Sequence, residues 1–172
     1  MKLPHRISIT FPDRFHFRSH SSCSTDGSSG ALAQQALLEF EHLGDACGGF
    51  DAHWLQSWIA AARGDVARQQ LELAHCMAQA HAGIDPLRSD IAEAQMARCS
   101  ALQNAADAQF RWSSRFHAEA RFPVPVAAVV DDFLGVLAGL CSDFGRAIPH
   151  HLRAFEAALQ SGQLQRAVVS AL

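Results

Sequence analysis

The stretch AQAHAGIDPLRSDIAEAQ, residues 78–95, decides the fold because it stops one helix and starts another within four residues. Gly83 suits a helix C-terminus, since glycine readily adopts the left-handed conformation that ends many helices. Asp85 is a good N-cap, and Pro86 suits the first position of a new helix. The stretch therefore predicts a tight turn between two antiparallel helices.

Long helical patterns lie on both sides of this turn. Residues 51–82 begin with Asp51 as a plausible N-cap, and residues 86–120 run until Pro123 and Pro125, which cannot continue a helix. At about 1.5 Å per residue, the first arm would be about 45 Å long. Gly64 lies within it and favours a kink. The sequence thus predicts a long antiparallel two-helix hairpin.

Shorter helices are expected to flank the hairpin. Residues 31–43 form a helix that Gly44 stops, followed by a turn over residues 45–50. After the prolines, residues 126–144 form a helix that Gly145 ends, and Pro149 starts a short helix that reaches Gln160. We therefore predict an all-α fold, with a helical domain over residues 31–122 and C-terminal helices over 123–172.

The first thirty residues differ in composition. Their basic residues are Lys2, Arg6, Arg14 and Arg18, and a Ser/Gly-rich stretch reaches Gly30. This composition predicts a disordered, mobile, mildly basic arm over residues 1–30. The charged and proline residues interrupt the apolar core that a signal peptide needs. A transit peptide has a similar composition, but Pro4 and Pro12 weaken the amphipathic helix that it requires.

Charge and composition narrow the classes of partner. A formal net charge of −3 gives no general attraction to nucleic acid or to anionic lipid. No run approaches the ~18 apolar residues that span a bilayer, so no membrane spanning is expected.

Lys2 is the only lysine, which suggests a GC-rich bacterial gene. Five scattered cysteines without CxxC spacing favour buried thiols in a reducing cytoplasm: Cys23, Cys47, Cys76, Cys99 and Cys141.

Catalytic motifs are absent from the sequence. It contains no GxSxG, P-loop, GxGxxG or HExxH pattern, so we expect a protein that is not an enzyme and has no cofactor. Two Glu-x-x-His spacings, Glu39 with His42 and Glu72 with His75, match the spacing used by di-metal helical bundles. A rotation of about 100° per residue points both imidazoles away from the predicted core. A di-metal enzyme is therefore the least favoured of the functions that we consider.

Other histidines are expected at the surface. His150 and His151 follow Pro149 at a predicted helix start, and adjacent helical residues diverge too far to chelate a metal. His53 follows the predicted cap Asp51 and is interpreted as its surface neighbour.

The hairpin brings aromatic residues of both arms to one end, either as core or as an exposed binding surface. The candidate apolar surface comprises Trp54, Leu55, Trp58, Ile59, Val66, Leu73, Met77, Leu87, Ile91, Leu102, Trp112 and Phe116. Two such stripes exceed what one hairpin buries. Flanking helices or another chain must therefore cover them, and we expect a homo-oligomer.

Residues 50–120 resemble the phasin family, the polyhydroxyalkanoate granule-associated proteins. The similarity lies in a long Gln/Ala-rich helix, the break at Asp85-Pro86, and a second helix that opens with DPLRSDIAEAQMARC. It implies a bacterial, cytoplasmic, non-catalytic coat protein that binds the granule surface through amphipathic helices and often oligomerises. The arm before Ala31, the helices after residue 125 and the absence of tyrosine depart from the family pattern.

A second class of function also fits the pattern. A helical protein-binding adaptor, such as a secretion chaperone, would use the aromatic-rich end to hold a protein partner. The sequence therefore leaves two partners open, a granule surface and a protein.

Overall fold

The computed structural model describes residues 26–83, 85–117 and 121–163, which contain seven helices and no strand. The helices are α1 (Asp26–Leu43), α2 (Ala46–Ala62), α3 (Val66–Ala82), α4 (Pro86–Gln103), α5 (Ala105–Trp112), α6 (Val124–Leu140) and α7 (Phe144–Gln160). The all-α prediction is confirmed. Of the predicted N-terminal arm, residues 26–30 belong to α1, and residues 1–25 lie outside the described residues.

The first predicted arm is divided into two helices. A continuous helix over residues 52–82 is wrong, because α2 ends at Ala62 and Gly64 adopts a φ of +71°. The carboxylate of Asp65 then accepts the Arg68 backbone N–H at 2.9 Å and starts α3. A glycine followed by an N-capping aspartate therefore produces a complete turn rather than a kink.

The second predicted arm, residues 86–120, is also divided. Helix α4 ends at Gln103, and Asn104 adopts an extended backbone with φ −153°. Its side chain accepts the Asp107 N–H at 3.2 Å and starts α5, which ends at Trp112. Residues 118–120 lie outside the described residues.

The helix starts flanking the hairpin also differ from prediction. Helix α2 begins at Ala46 with Asp45 as its N-cap, so residues 46–50 are helical instead of forming a turn. Asp51 lies inside α2 and therefore does not cap a helix. Its carboxylate forms an ion pair with Arg88 of α4 at 3.3 Å. A Cβ at Gly48 would lie 2.3 Å from the Phe40 ring. This glycine therefore serves the close packing of α1 on α2.

One loop geometry recurs along the chain. A residue with positive φ precedes an aspartate at Gly44-Asp45, Gly64-Asp65 and Ser142-Asp143. Each aspartate donates its backbone N–H to the carbonyl five residues earlier, at 2.9–3.0 Å, and its carboxylate accepts the N–H three residues later. Asp85 makes both bonds as well. One helix and one loop lie between Asp45 and Asp65, and again between Asp65 and Asp85. Because each loop reverses the chain, successive helices form a row in which neighbours are antiparallel.

Each helix packs on its neighbours in this row. Helix α1 packs on α2, α2 on α3, α3 on α4, α4 on α6 and α6 on α7, while α5 is joined to the end of α4. The largest core lies between α4 and α6, where alanines of α4 meet Val129 and Phe133. The C-terminal pair α6–α7 therefore packs directly on α4. Within the described residues, no helix has the length and apolar character to cross a membrane.

The turn at Gly64 can be tested by substitution. Gly64→Ala places a side chain at positive φ, so we expect the free energy of unfolding to fall by about 1 kcal/mol. Gly145→Ala is the matched control, because Gly145 is helical and its nearest neighbour to a new Cβ is Asp143 at 3.6 Å. This control should be neutral or stabilising. Urea unfolding measures both, and equal effects would contradict the assigned turn.

Candidate functional site

A polar network lies at the interface of α2 and α3. His53 Nδ1 lies 2.7 Å from Glu72 Oε2, and the Arg68 guanidinium lies 2.5 Å from the other carboxylate oxygen. Arg68 also donates to Gln56, whose amide donates to Gln34 of α1 at 3.4 Å. His53, Gln56 and Glu72 are buried. The network therefore links three helices through side chains that carry charge or hydrogen bonds.

The prediction that His53 lies at the surface is wrong. Because α2 starts at Ala46, His53 lies in its second turn and faces α3, where its ring stacks on His75 at 4.7 Å between centroids. A cleft of about 240 Å³ borders the network and is lined by Gln56, Arg63 and Arg68 among others. Glu72 already has two cationic or hydrogen-bonding partners, so this arrangement orients and stabilises helices.

The two Glu-x-x-His motifs do not meet. His42 and His75 are both exposed, as predicted, whereas Glu72 is buried against α2. In the part of the chain that the structure describes, no group of three or more His, Cys, Asp or Glu side chains is arranged to hold a metal ion.

A second polar cluster joins α6 to α7. His150 Nδ1 lies 2.7 Å from Asp131, and Arg153 also pairs with this carboxylate. The neighbouring Asp132 is buried and pairs with Arg98 of α4 at 2.5 Å. Three helices are therefore held together by these carboxylates.

The prediction that His150 and His151 are solvated cap residues is wrong. Helix α7 starts at Phe144, five residues before Pro149, so both histidines lie within the helix and contact α6. A Cβ at Gly135 would come within 2.8 Å of the His151 ring. Gly135 thus provides the space that this imidazole occupies.

A cleft of about 380 Å³ lies between the end of α5 and the α6–α7 pair. Phe116, Phe133 and Leu137 contribute apolar side chains to it, and Arg146 and His150 contribute polar ones. Arg146 forms an ion pair with Asp143, and His150 is bonded to Asp131. These two polar groups of the cleft are thus already engaged within the protein.

The cysteines divide into two classes. Cys76 and Cys99 are buried, as predicted, and burial raises the pKa of both thiols, so they stay protonated. Cys47 and Cys141 are exposed, which departs from the expectation of buried thiols. All four are free, and Cys23 lies outside the described residues.

The predicted apolar surface is not one surface. Leu73 and Phe116 are fully buried, while Leu55 and Leu102 are exposed. The remaining eight are partly buried: Trp54, Trp58, Ile59, Val66, Met77, Leu87, Ile91 and Trp112. The division of the arms changes which faces point inward, and the buried face of α2 carries His53, Gln56 and Ser57.

The predicted single aromatic-rich end is also wrong. Phe50, Trp54 and Trp58 contact one another along α2, and Phe50 packs with Cys76 of α3. Trp112 and Phe116 instead belong to the core between α4 and α6. The breaks at residues 63–65 and 104 place the two sets in separate clusters.

The apolar face that is exposed lies on α7. Phe144, Ile148, Leu152 and Leu159 are 64%, 60%, 58% and 47% exposed, and Phe155 lies between them, partly buried. At about 100° per residue these side chains share a stripe about 80° wide. We call this stripe the α7 face. Its spacing of four, four, three and four residues was visible in the sequence, but a helix end placed at Gly145 divided it.

The α7 face adjoins the side that packs on α6. The fully buried positions of α7 are Ala147, Ala154 and Ala158, and Phe155 packs partly against Ala128 of α6, whereas the other large side chains remain mostly exposed. Small residues and part of Phe155 thus make the internal contact, and the exposed apolar surface of Phe144, Ile148, Leu152 and Leu159 is left for another molecule to cover.

The buried carboxylate of Glu72 can be tested by removal. Glu72→Ala leaves His53 and Arg68 without their shared partner, so we expect a loss of about 3 kcal/mol in the free energy of unfolding. Arg111→Ala is the control, since it breaks an exposed ion pair with Asp107 and should cost less than about 1 kcal/mol. Urea unfolding compares them. Similar losses would show that the network contributes no more than a surface pair.

Comparison with known proteins gives no match to a family model, a curated protein or a solved structure.

Proposed function

We propose that this chain is a non-catalytic helical adaptor that receives a helix on the α7 face. The observation that supports this proposal most strongly is the exposure of Phe144, Ile148 and Leu152 in one continuous stripe. Fully burying each such side chain is worth about 1.5–3 kcal/mol, so a partner that covers the face gains substantial binding energy.

The position of α7 at one end of the row of helices supports a helical partner. Helices α2, α3, α4 and α6 each make extensive contact with two helices, whereas among the described residues α1 and α7, at the two ends of the row, each do so with one. Terminal elements of repeat-like arrays usually present a polar outer surface. The α7 face is apolar instead.

The spacing of the stripe supports the same partner. From Ile148 onward, the apolar positions follow intervals of four, three and four residues, which is the spacing of a helix–helix seam. A complementary helix would carry large apolar residues at the same intervals and polar residues on its other side.

A granule coat is the second candidate, as the phasin resemblance implies. Exposed leucines on α1, namely Leu32, Leu38 and Leu43, provide a second apolar surface in addition to the α7 face. Amphipathic helices with such side chains can adsorb to a hydrophobic polymer, driven by apolar burial at about 25 cal/mol per Å².

Site-specific photo-crosslinking in cells tests the adaptor. With p-benzoylphenylalanine in place of Leu152, we expect a defined covalent adduct with a protein, because this position would be buried by the partner helix. The same amino acid in place of Gln160 is the matched control, since Gln160 is exposed outside the α7 face and should give no such adduct. The absence of an adduct at Leu152, Ile148 and Phe144 would contradict the adaptor.

Co-sedimentation with polyhydroxybutyrate particles tests the granule coat. We expect the native chain to sediment with the particles and the double variant Ile148→Glu/Leu152→Glu to lose at least about tenfold in affinity, because two charges replace buried apolar groups. Gln160→Glu is the control and should bind as the native chain does. If the native chain stays in the supernatant, the coat function is wrong.

A further inference from the structure

We propose that the helix received by the α7 face is α7 of a second copy of this chain, packed antiparallel about a twofold axis between His151 and Leu152. This inference rests on the proposed adaptor function, since it names the partner of the same face. The spacing of the apolar residues in the stripe and the charges beside it favour this pairing.

The stripe has nearly the same spacing in both chain directions. In an antiparallel pair centred between residues 151 and 152, Phe144 lies level with Leu159 of the second copy, and Ile148 lies level with its Phe155. Leu152 lies within one residue of the axis and faces its own copy. Every large apolar residue of the stripe thus meets another one, which is the self-complementarity that a twofold interface requires.

The charges favour antiparallel over parallel packing. Glu156 is the acidic residue beside the stripe, and its copy would lie about 13 Å away in the antiparallel pair, beyond the screening length at physiological salt. A parallel pair would place the two Glu156 side chains level with each other. Antiparallel packing also opposes the two helix dipoles.

The exposed area is sufficient for the apolar centre of a dimer. Phe144 is an aromatic residue with about 150–250 Å² of surface and is mostly exposed, and three smaller aliphatic side chains that are about half exposed bring the apolar area to on the order of 300–400 Å². A standard interface buries about 800 Å² per partner, of which an apolar centre is about half or more. Polar residues that border the stripe would supply the rim.

Cysteine crosslinking tests the register. The exposed or undescribed thiols are first removed as Cys23→Ser, Cys47→Ser and Cys141→Ser, which leaves the two buried cysteines. In this background Leu152→Cys should form a disulfide-linked dimer under mild oxidation, because position 152 faces its own copy near the axis. Gln160→Cys is the matched control, since it points away from the stripe, and should remain largely monomeric.

The orientation is tested with two further variants. Phe144→Cys and Leu159→Cys should crosslink efficiently when mixed, because these positions lie level in the antiparallel pair, and poorly when each is oxidised alone. Efficient crosslinking of Phe144→Cys with itself would overturn the antiparallel arrangement.

Sedimentation equilibrium of the full chain separates this inference from the proposed function. The native chain should be dimeric at tens of micromolar, and Ile148→Glu/Leu152→Glu should raise the dissociation constant at least about 100-fold. Both residues are exposed, so at a protein concentration low enough for both chains to be monomeric the variant should keep the native urea midpoint to within its error. A monomeric native chain whose position 152 still crosslinks to another protein would overturn self-pairing and leave the adaptor standing. A monomer without any adduct would overturn both.

Discussion

The structure depends on one backbone arrangement, a residue with positive φ followed by an aspartate that both ends one helix and starts the next. Asp65 shows how it works: its N–H is bonded to the Ala60 carbonyl, and its carboxylate accepts the Arg68 N–H. A few hydrogen bonds thus satisfy backbone groups at two helix ends and reverse the chain within three residues. Repetition of this arrangement at Asp45 and Asp143, and of the same two hydrogen bonds at Asp85, gives helices of nearly equal length that lie side by side.

This local chemistry explains how far the fold could be predicted. The all-helical class and the turn before Pro86 follow from residues that act within a few positions of one another. The same rule applied at Gly64-Asp65 would have divided the long arm, but the helical periodicity of the surrounding residues masked the signal. The 20-residue interval between the aspartates was likewise present in the sequence. The placement of α6 against α4 was not, because Ala97 and Phe133 meet only through tertiary packing.

The inward faces were harder to predict, because they do not follow hydrophobicity alone. Helix α2 buries His53 and Gln56 toward its neighbours, which Glu72 and Arg68 make favourable by pairing with them. A rule that buries apolar residues selects Leu55 instead, and Leu55 is exposed. In the same way, His150 and Asp131 look like surface residues until α6 and α7 are brought together. Buried polar pairs depend on two distant positions at once, so neither position reveals the pair by itself.

The α7 face differs from the inward faces, because its exposed apolar residues do not pair with residues of a neighbouring helix. Unlike the α4–α6 core, which Val129 and Phe133 fill, the contact between α6 and α7 is made by small residues, polar pairs and the partly buried Phe155. Ala154 and Ala158 are buried in that contact, whereas Phe144 and Ile148 remain mostly exposed. Exposed apolar groups of this size contribute nothing to the stability of the isolated chain and increase its tendency to associate. These apolar residues recur at regular intervals along the whole of α7, from its first residue to its last turn. A partner that covers this stripe therefore explains the sequence of α7 better than the packing of α7 on α6 does.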